Sequence, residues 1–68
     1  MVELSEQQIK TLDLFSKDGL NMKDIATHLG VSYSRVINIL NEILVKTGYK
    51  TRKELLINAN SIEYTLKK

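Results

Sequence analysis

Three glycines and not a single proline punctuate this chain, and that pattern limits what it can build. Gly19, Gly30 and Gly48 cut it into four segments of helical length, and no proline interrupts any of them. Each segment opens on a side chain suited to cap a helix. Ser5 can accept the amide of Gln8 while Gln8 reaches back, the reciprocal capping box. Asn21 stands three residues before Asp24, Ser32 precedes the longest apolar stripe, and Thr51 with Glu54 forms a second capping-box pattern.

Behind these caps the apolar residues recur at helical spacing. Ile9, Leu12 and Phe15 mark the first helix, which ends at Lys17-Asp18-Gly19. Ile25, Ala26 and Leu29 mark a second of about two turns. Val36, Ile39, Leu40, Ile43 and Leu44 form the stripe of a third, with Gly48 placed for a left-handed exit. Leu55, Leu56 and Ala59 begin a fourth, and Ile62 and Leu66 extend its spacing, so a helix over about 51–66 is expected. Asn58, Asn60 and Ser61 are weak helix formers inside that last stretch. The predicted fold is all-α with four helices, in one domain covering residues 1–68.

The remaining composition excludes more than it identifies. Sixty-eight residues form one small domain that buries only about 60% of its unfolded surface. Without cysteine, no disulfide or thiolate metal site can reinforce that core, so helix packing or self-association must do so. Leu, Ile, Val and Phe supply 22 residues, enough to fold a chain of this charge. No apolar run approaches the 18 or so residues of a membrane span, and no signal-peptide pattern opens the chain, so a cytoplasmic protein is expected. His28 is the only histidine and has no cysteine or second histidine beside it in a metal-binding spacing. The carboxylates and hydroxyls sit in ordinary helix caps. No catalytic set, metal site or cofactor is expected, and the chain does not read as an enzyme.

Two short helices joined by a glycine-containing turn make a helix-turn-helix unit, here over about 22–41. Ala26 is small where the helices would cross, Gly30 opens the turn, and Ile25, Leu29, Val31, Val36 and Ile39 are apolar where a shared core requires it. The stretch Leu20-Asn21-Met22-Lys23-Asp24-Ile25-Ala26, followed by Leu29-Gly30-Val31-Ser32, together with Lys46-Thr47-Gly48-Tyr49-Lys50-Thr51-Arg52-Lys53-Glu54, resembles the LuxR/GerE-type DNA-binding domain of bacterial transcription regulators. The resemblance covers residues 4–57 and begins with Leu4-Ser5 where the family has Leu-Thr. It implies that the third helix, about 32–46, enters the major groove and that the fourth forms a homodimer contact. Within the third helix Ile37 stands where the family has a lysine, Glu6-Gln7-Gln8 replaces its acidic and basic residues after Leu-Thr, and Lys17-Asp18-Gly19 is one residue longer than its turn.

With Val36 and Ile39 inward, helical geometry turns Tyr33, Ser34, Ile37, Asn38 and Asn41 outward as base-contacting candidates. Asparagine pairs with adenine N6 and N7, and Ile37 could pack on a thymine methyl, so the expected readout leans towards A·T pairs. Phosphate contacts are expected from Lys23, Tyr33, Arg35, Lys46, Lys50, Arg52 and Lys53. The net charge of +2 is unevenly distributed: residues 1–42 carry a net −2, while 43–68 carry +4, with four cations and no anion over 46–53. Leu55, Leu56, Ala59 and Ile62 are the candidates for a dimer contact or for closing the core. The alternative is an interaction module of the same fold that binds and antagonises another transcription regulator. Ile37 and Val45, apolar but outside the inward arc, favour it.

Overall fold

The computed structural model describes residues 2–67. They form β1 (Val2–Leu4), α1 (Glu6–Ser16), α2 (Met22–Leu29), α3 (Tyr33–Thr47), α4 (Arg52–Asn58), a 3-10 turn (Ala59–Ser61) and β2 (Tyr64–Leu66). Every helix start is held by the side chain read as its cap. The Gln8 amide donates to Ser5 Oγ at 3.2 Å, and the Ser5 amide donates to Gln8 Oε1 at 2.9 Å, completing the capping box of α1. Asn21 Oδ1 accepts the Asp24 amide at 2.8 Å, and Ser32 Oγ the Arg35 amide at 3.1 Å. Thr51 Oγ1 accepts the Glu54 amide at 3.1 Å. Only half of that second box forms, because the Glu54 carboxylate receives the Lys50 amide at 3.5 Å instead of that of Thr51.

The turn between α2 and α3 is three residues long. Gly30 sits at φ 70° and ψ 31°, a left-handed conformation that costs a side-chain-bearing residue about 1–2 kcal/mol. The Val31 amide then reaches the Ala26 carbonyl at 3.0 Å, which satisfies an orphan acceptor of α2 and redirects the chain into α3.

The longest helix is the centre of the core. Val36, Ile39, Leu40 and Ile43 of α3 are wholly buried and pack with Leu4, Leu12, Leu14, Ile25, Ala26 and Leu55. Side chains of this type each contribute about 1.5–3 kcal/mol when fully buried. α1, α2, α4 and β1 all pack on α3. Polar groups at the edge of this core are satisfied locally. Buried Thr11 donates its hydroxyl to the Gln7 carbonyl at 2.7 Å, and among the described residues no buried side-chain polar atom lacks a partner.

The last segment differs from the expected helix over 51–66. α4 ends at Asn58, and after the 3-10 turn the chain extends into β2, which pairs in parallel with β1. Val2 lies opposite Tyr64, Glu3 opposite Thr65 and Leu4 opposite Leu66. The weak helix formers Asn58, Asn60 and Ser61 lower the cost of leaving the helix, and Asn58 bonds its side-chain amide back to the Glu54 carbonyl at 2.9 Å. The extended path lets Ile62 and Tyr64 pack on the core. The fold is therefore mostly helical with four α-helices and a small two-stranded sheet, rather than purely α. Parallel strands need a long crossover connection, and here the whole helical body serves as that connection.

Candidate nucleic-acid interface

The buried stripe of α3 fixes which side chains it can present. With Val36, Ile39, Leu40 and Ile43 inward, Ser34, Asn38, Asn41 and Val45 fall on the opposite arc, and all four are exposed. Val45 is the most open large apolar residue, at 83% exposure. Tyr33 is half-exposed at the start of the helix. Ile37 departs from the expected outward position. It is half-buried, because its phase places it at the edge of the inward arc rather than opposite it.

Two shallow depressions meet on this outward face. Asn38, Asn41, Glu42, Val45 and Lys46 line one, while Asn41, Leu44, Lys50, Thr51, Arg52 and Lys53 line the other. Asn41 borders both. The neutral arc of α3 and the basic turn before α4 therefore share one continuous surface.

The cations around that surface fall into two groups. Lys50, Arg52 and Lys53 are exposed and make no ion pair among the described residues. Lys23, exposed on α2, is likewise unpaired there. Arg35 and Lys46 are engaged within the fold. Arg35 donates from Nη2 to Gln7 Oε1 at 2.8 Å and places Nη1 3.7 Å from Glu42 Oε1. Lys46 Nζ donates to the Glu3 carbonyl at 3.0 Å and to Gln8 Oε1 at 3.1 Å, tying α3 to β1 and to the capping box of α1.

The four apolar residues read as dimer or core candidates also divide. Leu55 is wholly buried and closes the core, so it cannot contribute to an interface. Ala59 and Ile62 are half-buried against that core. Leu56 is exposed, and so is Ile57, at 70% exposure, which the sequence reading missed. Its signal was available. Ile57 lies two residues beyond buried Leu55, a rotation of roughly 200° that carries it to the far side of α4. Glu42 was also missed, although it lies two helical turns from Arg35 and so on the same side of α3. Gln7 left no comparable local signal, since it approaches Arg35 only in the folded chain.

Among the described residues no group of three or more His, Cys, Asp or Glu is placed to hold a metal, and no helix is long and apolar enough to cross a membrane. Compared with protein-family models, curated protein sequences and solved structures, the chain finds no match.

Proposed function

We propose that the chain is a sequence-specific duplex-DNA-binding domain of a transcription regulator. In this reading α2, the Gly30 turn and α3 act as a helix-turn-helix of the LuxR/GerE type, with α3 in the major groove. The observation that carries it is the continuity, through Asn41, of the α3 outward arc with three cations that make no ion pair among the described residues. A groove-binding element needs hydrogen-bonding side chains aimed at base edges and cations flanking them for the phosphates. Asn38 and Asn41 supply the first, and Lys50, Arg52 and Lys53 the second. Ser34 and Tyr33 extend the base-facing set towards the helix start, where such helices make many of their contacts. Lys23 adds a phosphate contact from α2. Two copies paired through Leu56 and Ile57 would present two α3 helices to half-sites separated by multiples of about 10 base pairs. The domain acts by binding in the cytoplasm, without cofactor or catalysis.

Titration of labelled duplex at two salt concentrations tests this reading. Affinity should fall steeply as salt rises, with a logarithmic slope of about 0.9 for each phosphate neutralised. Selection from a random duplex library should enrich a two-fold symmetric, A·T-leaning sequence. Salt-independent or absent binding refutes it.

The 83% exposure of Val45, in the middle of the same surface, favours a second reading. There the domain binds another transcription regulator through α3 and blocks it. That reading predicts negligible duplex affinity together with a stable protein complex that Val45→Asp disrupts.

A further inference from the structure

α3 contains one acidic residue, Glu42, and it lies on the surface proposed to meet a polyanion. Its obvious helical partner is Lys46, one turn on. That lysine is directed elsewhere, to the Glu3 carbonyl and Gln8 Oε1. The Glu42 carboxylate is left to Arg35, two turns back, with Nη1 at 3.7 Å from Oε1. The other guanidinium nitrogen is bonded to Gln7 Oε1 at 2.8 Å, so Arg35 is held from two sides by two different helices. Neither side chain is buried, and both remain within reach of a ligand.

We infer that Glu42 is an intramolecular counterion that withdraws Arg35 from phosphate contact and thereby sets the sequence-independent part of duplex affinity. This rests on the duplex reading above. A cation neutralised by a carboxylate of its own chain condenses little charge onto the nucleic acid and releases no counterion on binding, so it adds nothing to the salt slope. Glu42 is thus a positioning residue that acts through Arg35. It limits non-specific attraction on the flank of α3 next to α1 and leaves the phosphate contacts to the 50–53 turn.

The test uses the full chain, a labelled duplex of random sequence, and three proteins: wild type, Glu42→Gln, and the Arg35→Gln, Glu42→Gln double variant. Circular dichroism checks that all three are folded. Glu42→Gln should steepen the salt slope by about 0.9 and tighten binding near 0.1 M salt by about tenfold, because one cation is freed. The double variant should return to the wild-type slope, since an internally neutral pair has been replaced by two neutral groups. A double variant shallower than wild type by about 0.9 would mean that Arg35 already contacts phosphate, and would overturn the inference. So would a Glu42→Gln gain that persists without Arg35, which is simple repulsion. Absence of salt-dependent binding by the wild type refutes the duplex reading itself, whereas binding with unchanged variants refutes this inference alone.

Discussion

The two flanks of α3 carry cations of opposite status. On the side towards α1 and β1, Arg35 and Lys46 are tied to Gln7, Glu42, Gln8 and the Glu3 backbone. On the other side, Lys50, Arg52 and Lys53 project from a turn and the first residues of α4 without an ion partner among the described residues. All five look alike as sequence charge, yet the first two serve the fold and the last three remain available to a ligand. A basic segment therefore overstates the number of charges that can meet a phosphate. The available number is set by which carboxylates, carbonyls and amide oxygens of the same chain come within reach.

The largest effect that could break this contrast belongs to the untethered flank. Replacing Lys50, Arg52 and Lys53 together by Gln should reduce the logarithmic salt slope of duplex binding by about 2.7 and weaken binding near 0.1 M salt by roughly 500-fold. A much smaller change would mean that the tethered flank supplies the phosphate contacts after all. Next comes the neutral arc between the flanks. Asn41→Ala should cost about 1–3 kcal/mol at one base pair and little elsewhere, read by competition among single-substitution duplexes. On the tethered side, Lys46→Met keeps the aliphatic stem but removes both hydrogen bonds, so thermal unfolding should show a loss of about 1 kcal/mol. Its salt slope should match the wild type, and a flattening would show that this lysine releases its intramolecular partners to bind phosphate. The smallest stability change is expected at Ile57. Substitution by Ser should leave stability within about 0.5 kcal/mol while shifting sedimentation from dimer to monomer. An unchanged sedimentation profile would remove α4 as the pairing surface.

Much of this was legible from sequence wherever the determinant is local. The caps at Ser5, Asn21, Ser32 and Thr51 act over three residues, and the left-handed Gly30 and Gly48 end α2 and α3 directly at their C-caps. The buried stripe of α3 fixed its outward arc by phase alone, except at Ile37, where the phase lies on the boundary. The segment after Asn58 was misread because Ala59, Ile62 and Leu66 mimic a helical repeat. Periodicity could not reveal that a strand at the other end of the chain was available to pair with it. Long-range partners explain the errors at the candidate interface too. Nothing near Arg35 announces Gln7, and nothing near Lys46 announces the Glu3 carbonyl.

The parallel pairing of β1 with β2 bears on the order in which the molecule assembles. Nearly the whole chain lies between Val2 and Tyr64, so their pairing closes the longest loop the protein contains. The helices, built from contacts a few residues apart, can form before that loop is closed. Strand pairing that forms after the transition state affects mainly the unfolding rate. The two short strands are thus expected to act as a clasp on an already assembled helical body, and a chain lacking residues 63–68 should refold at nearly the native rate but unfold faster in stopped-flow measurements.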